Sequence, residues 1–279
     1  MTMLSINTNV GALTAARSSY SVNKSMETSM ERMASGKRIN SAADDAAGLA
    51  ISTRINAEIQ GLKQSIKNAA DAQSLLNVTE GALSEVHTIL LRMRELAVQS
   101  ANDTVRDQDR DMLQMEVAQL ELEIQRISDD TTWSGMTLLA GEFTTGATFQ
   151  IGPRDGDTIQ ISISAIDATT TIGNGGLDLN EHISTQAGAF SYIENIDAAI
   201  SVISRDRAQY GATMNRLDHA MANMQNIATN LSTAKGRLED ADFAAESANL
   251  ARTQVLQQAS MAMLSQANAS KQNILALFQ

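Results

Sequence analysis

Few side chains in this 279-residue chain are of the types that perform chemistry. The three histidines, His87, His182 and His219, lie far apart in sequence and fit no metal-ligand spacing, so surface or helix-seam positions are expected for them. With no cysteine, the chain can form neither disulfides nor thiolate metal sites. It also lacks a phosphate-binding glycine loop, a G-x-S-x-G elbow and an H-E-x-x-H motif. We therefore assign no catalytic residue, metal ligand or cofactor, and expect a structural protein rather than an enzyme.

Two groups of aspartates could be taken for acid pairs or cation ligands. Asp44 and Asp45 precede a helical pattern, where Ser41 can cap the helix and Asp44 can answer it three residues later. Asp155-Gly156-Asp157 matches a fragment of a calcium loop, but the rest of that pattern is missing. A helix start and a turn are the better interpretations of the two groups.

The composition argues against some classes of partner and favours a helical protein. The net charge of −11 argues against nucleic acid or an anionic membrane as partner, since both require basic patches. Hydrophobic residues make up 43% of the chain but aromatic residues only 3%, and Pro153 is the one proline. Such a chain favours long helices that pack along narrow seams. Residues 1–20 do not have the pattern of a cleaved signal peptide, and residues 253–270 are too polar to span a membrane.

The elements that organise the chain are two long helical seams. The first seam alternates strictly between steps of three and four from Ala69 onward, as coiled coils do. Its members are Ile51, Ile55, Ile59, Leu62, Ile66, Ala69, Ala72, Leu76, Thr79, Leu83, Val86, Leu90, Met93 and Ala97. The second seam runs from Ile193 to Leu238 with the same alternation, and Arg207 and Lys235 are its only charged members.

Shorter elements surround these seams. A first helix is predicted within residues 1–35 with a stop at Gly36, a returning helix around residues 113–127, and a last helix from about residue 237. Alternation at residues 149–151 and 159–163, with an Asp-Gly turn between them, predicts a β-hairpin. The predicted fold is mainly α with a small β-hairpin region. Paired N- and C-terminal segments would form a long antiparallel, coiled-coil helical rod.

Several segments closely resemble the bacterial flagellins. The strongest match, residues 31–51, reads ERMASGKRINSAADDAAGLAI. Shorter matches are Ile6–Asn9, Thr79–Leu83, Arg92–Asn102, Arg237–Phe243, Val255–Ala259, Leu264–Asn268 and Asn273–Leu275. The resemblance covers both ends and most of the chain.

This resemblance implies a structural subunit that self-assembles into the flagellar filament for motility. The chain would be a short form that lacks the variable outer domains of larger flagellins. Residues 1–40 and 240–279 would form an inner core domain, and residues 41–239 an outer core domain with its hairpin region near 140–190. A hook–filament junction protein of the same architecture is the alternative.

The resemblance also implies site residues and partners. The inner-core assembly residues would be Val10, Leu13, Met26, Met30, Met33, Leu250, Leu256, Met263, Leu264, Ile274 and Leu277. On the outer core, Arg92, Leu96 and Glu116 would form an interface and a patch read by a host Toll-like receptor. Expected partners are further copies of the chain, an export chaperone, the filament cap, other flagellins and hook-associated proteins. The location would be the extracellular filament, reached by type III export without a cleaved signal peptide.

Overall fold

The computed structural model describes residues 8–168 and 177–276, with side chains as far as residue 270. Within these ranges the chain forms long helices, as the sequence predicts, and two short antiparallel strand pairs, of which the sequence predicts one. The elements are α1 (Val10–Ser35), α2 (Ala46–Ser100), α3 (Asp107–Asp130), β1 (Thr132–Trp133), β2 (Met136–Thr137), β3 (Ala147–Gln150), β4 (Thr158–Ile161), α4 (Gln186–Glu239) and α5 (Phe243–Ala276). The chain divides into unit 1, Met1–Ala57 with Asn230–Gln279, and unit 2, Glu58–Thr229.

In unit 1, α1 packs against α5. The side chain of Asn9 caps α1 by accepting a hydrogen bond from the backbone N–H of Ala12 at 3.1 Å. Gly36 ends the helix with a φ of +71°, a left-handed conformation that glycine adopts without steric cost, so the predicted stop is confirmed. The same Asn9 side chain donates to the carbonyl of Ala267 at 3.1 Å, near the other end of the chain. The two helices are therefore antiparallel.

The start of α2 differs from the predicted one. Asp44 accepts hydrogen bonds from the backbone N–H and the hydroxyl of Ser41 at 2.9 and 3.0 Å, and these bonds lower the pKa of Asp44. Because Ser41 is engaged in this turn, it does not cap the helix. Asp45 does so instead: its carboxylate accepts from the N–H of Gly48 at 2.8 Å, and its carbonyl accepts the first helical bond from Leu49.

The core of unit 2 follows the predicted seams. Every member of the first seam from Ala69 to Ala97 is buried, the stretch in which the alternation is strict. In α4, full burial recurs every seventh residue, at Ile196, Ile203, Tyr210, Leu217 and Met224. Polar pairs along both helices show that they are antiparallel in this unit: Gln73 donates to Asp218, Arg207 to Glu80 and Arg94 to Asp197.

The predicted hairpin is present in unit 2. Strands β3 and β4 pair with Phe149 opposite Ile159, and Ile159 and Ile161 are buried while their neighbours face solvent. Gly156 closes the loop with a φ of +85°, which confirms a turn at Asp155-Gly156-Asp157. In the same loop Pro153 rests on α2, where a side-chain carbon added at Gly61 would lie 3.0 Å from the proline ring.

A second strand pair, β1 with β2, was not predicted. It joins Trp133 to Met136 across a tight turn in which Ser134 and Gly135 both have positive φ. Trp133 is half-buried, and the two leucines that follow the pair, Leu138 and Leu139, are fully buried. Two residues per strand are too short for a periodic signal in the sequence.

Candidate functional site

The described apolar residues assigned to assembly lie on α1 and α5, and many of their side chains face solvent. Val10 and Met263 are each 65% exposed, and Leu13 is 57% exposed. Met30 and Leu256 are each 45% exposed. Surface leucines are common singly, but a series of large apolar side chains along one helix pair is a feature of interaction surfaces. The arrangement provides unit 1 with an apolar surface that its own fold does not cover.

The other assigned residues of this set are more enclosed. Met26, Met33, Leu250 and Leu264 are half-buried, as expected of side chains between α1 and α5. Leu277 and the side chain of Ile274 lie outside the described residues. A groove of about 620 Å³ also runs between the two helices, lined mainly by small residues such as Gly11, Ala15 and Ala259. Sequence reasoning did not single out these small residues, because they carry no apolar periodicity of their own.

Two buried carboxylates connect the helices of unit 1. Glu246 on α5 accepts hydrogen bonds from Ser29 at 2.9 Å and from Arg32 at 3.0 Å, both on α1. Burial acts to raise the pKa of Glu246, but the two donors outweigh that effect and hold the pKa below its usual value. Glu239, at the end of α4, has its pKa lowered by Lys37 and Ser52. Sequence reasoning missed both carboxylates, because their partners lie about 200 residues away in the chain.

The three residues assigned to the outer patch do not form one exposed surface. Arg92 and Glu116 are joined directly: Nε and Nη2 of Arg92 donate to Glu116 Oε1 at 3.0 and 2.9 Å, and Glu95 accepts a third bond. Leu96 is only 1% exposed. The expectation that Leu96 shares a solvent-facing patch with Arg92 is therefore wrong, because Leu96 lies beside Met93 within the buried stripe of α2.

Other apolar side chains of unit 2 do face solvent. Met112, Met115 and Leu122 on α3 are each more than 60% exposed, and so present a stripe along that helix. Leu91 and Val98 on α2 are about half exposed and line a shallow depression. The sequence contains these apolar residues outside the regular spacing of the seams. The exposed stripe was missed because only the seam positions were considered.

The candidate chemical residues are dispersed. His182 and His219 are exposed and His87 is half-buried. Within residues 8–168 and 177–276, no three histidine, aspartate or glutamate side chains are grouped so that they could hold a metal ion. In the same part of the chain, no helix is both long and apolar enough to cross a membrane. The exposed apolar helices of unit 1 thus remain the main candidate site.

Comparison with protein families decides between the possible identities. The family described as the bacterial flagellin N-terminal helical region matches residues 6–144, and the bacterial flagellin C-terminal helical region matches residues 193–278. The chain belongs to the bacterial flagellins. Flagellin of Halalkalibacterium halodurans is 41% identical over 275 residues, which are 98% of this chain and 99% of that protein. Flagellin FlaB1 of Treponema pallidum is 36% identical over 284 residues, with the same coverage of both chains.

These relatives also settle the form of the flagellin and its role. Their full lengths align with this chain, so it is a short flagellin without inserted outer domains. It is a structural subunit of the bacterial flagellar filament and polymerises with further copies of itself. A solved structure described as a flagellar hook-associated protein from Vibrio parahaemolyticus covers 71% of this chain and all of its own, with a TM-score of 0.61 and 18% identity. That likeness concerns the fold alone, and the junction-protein alternative is not favoured.

Proposed function

We propose that unit 1 is the inner core of the filament and that the exposed apolar faces of α1 and α5 are its subunit contacts. The contact residues would be Val10, Leu13, Met30, Leu256 and Met263, and Ile274 and Leu277 stay in the proposed set as the resemblance implies. Met26, Met33, Leu250 and Leu264 would hold α1 against α5 within each subunit. The inner core would comprise residues 1–40 and 240–279, and the outer core residues 41–239.

The observation that carries this proposal is the exposure of large apolar side chains at both ends of the chain. Val10, Leu13 and Met263 are each more than half exposed, although burying one such side chain stabilises by roughly 1.5–3 kcal/mol. A head-to-tail contact that does not close on itself generates a helical polymer, in which each copy can cover these faces of the next. Assembly thereby supplies the burial that unit 1 lacks.

Polymerisation of point variants tests this role. Replacing Met263 by Gln keeps the length of the side chain but makes it polar, so we expect the critical concentration for seeded growth to rise about tenfold or more. Gln258→Ser is the matched control, because it shortens an exposed polar side chain on the same helix. Sedimentation and electron microscopy provide the measurement. Equal growth of the Met263 variant and the parent would rule out this residue as a contact.

The partners follow from the same role. An export chaperone would cover the apolar faces before secretion, and the filament cap would guide their pairing at the growing tip. Hook-associated proteins and other flagellins would share the same surfaces. The subunit would act outside the cell, as a structural part of the filament. An innate receptor of the Toll-like class would bind the exposed pair Arg92 and Glu116 on unit 2. The buried side chain of Leu96 would stabilise the helix that carries Arg92.

A further inference from the structure

One buried carboxylate in unit 1 is shared by three segments of the chain. Glu239, the last residue of α4, is 6% exposed. One of its oxygens lies 2.5 Å from Nζ of Lys37, in the connection between α1 and α2. The other accepts a hydrogen bond from the hydroxyl of Ser52 on α2 at 2.7 Å. A charge buried in this way is maintained by its partners rather than by water.

A second contact lies one helical turn away. Lys235 donates from Nζ to the side-chain oxygen of Asn56 at 2.9 Å, and the same Nζ lies 3.8 Å from Glu239. Ser52 and Asn56 are four residues apart on α2, and Lys235 and Glu239 are four apart on α4, so each pair shares a helix face. Lys235 is one of the two charged members of the second seam, and this contact explains its position there.

Backbone hydrogen bonds join the same segments. The N–H of Arg38 donates to the carbonyl of Glu239 at 2.6 Å, and the N–H of Ala241 donates to the carbonyl of Gly36 at 3.0 Å. The α1–α2 connection is thereby paired with the α4–α5 connection. We use the name clasp for the side chains Lys37, Ser52, Asn56, Lys235 and Glu239 together with these two backbone bonds. The clasp fixes the end of α1 beside the beginning of α5.

The buried residues of α1 and α5 lie in the half of each helix that is nearer the clasp. Ser29 is the buried residue of α1, and Glu246 and Thr253 are the buried residues of α5 among its described side chains. Ser29 and Glu246 are hydrogen-bonded to each other. Farther from the clasp, the described side chains of both helices are half-buried or exposed. The part of the pair with the most enclosed contacts is therefore the part that the clasp brings together.

We propose that the clasp nucleates the pairing of α1 with α5, which then extends toward both chain ends. Helix pairs with few large side chains gain little free energy per residue, whereas joining distant segments carries a fixed entropic cost. The clasp offsets that entropic cost in the part of the helix pair that has the most enclosed contacts. Glu239 is then a positioning residue, because it acts on α5 through the connection that it anchors. The elongation readout used below depends on the proposed role of unit 1 in the filament.

The first test compares two single substitutions. Glu239→Gln removes the negative charge of the clasp, so Lys37 and Lys235 lose their counter-charge. The matched control, Gln257→Ala, removes an interhelical hydrogen bond of 2.8 Å to Asn23, away from the clasp. We expect Glu239→Gln to slow elongation from parental seeds about tenfold and to raise amide exchange along all of α1 and α5. Gln257→Ala should raise exchange only near its own position.

The second test restores the clasp covalently. Lys37 and Asp240 are partners in an antiparallel bridge, and such partners have Cα atoms about 4.5–5.5 Å apart, within the range of a disulfide. The chain contains no cysteine, so Lys37→Cys with Asp240→Cys in the Glu239→Gln background creates a single disulfide. The oxidised form should regain the elongation rate and the amide protection, and the reduced form of the same protein should not.

Three results would overturn the proposal. They are parental amide exchange in α1 and α5 of Glu239→Gln, equal effects of the two single substitutions on that exchange, and failure of the oxidised form to regain amide protection in α1 and α5. Regained protection without regained elongation would support the clasp and contradict the proposed role of unit 1 in the filament. The clasp proposal and the proposed role of unit 1 are therefore contradicted by different results.

Discussion

The burial of Leu96 predicts that its loss destabilises unit 2 rather than removing a surface contact. The side chain is 1% exposed, so truncation to alanine leaves a cavity and should reduce the free energy of unfolding by about 3–5 kcal/mol. Leu91 is a matched control on the same helix, because it is 44% exposed and its truncation should reduce that free energy by about 1 kcal/mol or less. Arg92→Ala removes only exposed ion pairs and should leave the free energy of unfolding nearly unchanged.

Thermal and urea unfolding of the monomer, followed by circular dichroism, measure these differences. For a unit of this size, the loss at Leu96 corresponds to a fall in melting temperature of about 10 °C, against roughly 3 °C or less for the control. Equal shifts for the two leucine variants would refute the placement of Leu96 in the core. If the placement is right, weak signalling or weak motility in a Leu96 variant reports lost stability. Receptor contact is tested better with Arg92 alone.

Two other outcomes follow from the structure. Glu239 and Glu246 have lowered pKa values in the folded state, so their stabilising effect is complete above the ordinary value of 4.5 and is lost as the pH falls through the lowered values. Urea midpoints of the monomer should therefore decrease between pH 6 and pH 3 (about the range in which such carboxylates titrate), and a constant midpoint would contradict this. A side chain at Gly188 would collide with the carbonyl of His182, so Gly188→Ala should destabilise by about 1–3 kcal/mol. Gly211→Ala, in open space on the same helix, should instead stabilise by roughly 0.5–1 kcal/mol, and calorimetry that ranks the two variants in the opposite order would disprove this account.

The sequence predicted the helices well because the seams are long and regular. All members of the first seam from Ala69 to Ala97 are buried, whereas Ile51, ahead of the strict alternation, is 42% exposed. The position of Leu96 was mispredicted because the resemblance alone assigned it to a patch with Arg92, without regard to how much of α2 its neighbouring helices cover. In unit 2, α2 contacts α3 through Arg92 and α4 through Arg94, so its buried stripe is wider than a coiled-coil seam and includes adjacent residues such as Leu96 and Ala97.

The polar connections of the candidate site lay beyond sequence reasoning. Short-range rules placed a cap at Ser41, but a competing side-chain bond to Asp44 moved the helix start to Asp45. Glu239 and Lys37 are separated by most of the chain, and no periodic pattern relates them. Residue spacing reports which face of a helix is covered. It does not report which distant polar group forms a hydrogen bond or an ion pair with a buried carboxylate.

The hairpin loop of unit 2 is a natural place to insert a foreign peptide into the subunit. Its base is secured twice: Pro153 sits on Gly61, and the side chain of Asn68 donates to the carbonyl of Gln150 at 3.0 Å. Its tip, residues 154–156, is exposed to solvent. Added residues at an exposed tip increase the entropy cost of loop closure only slowly with length. A passenger inserted there would leave the strand ladder and its anchors on α2 intact, so each subunit could carry one copy of an epitope.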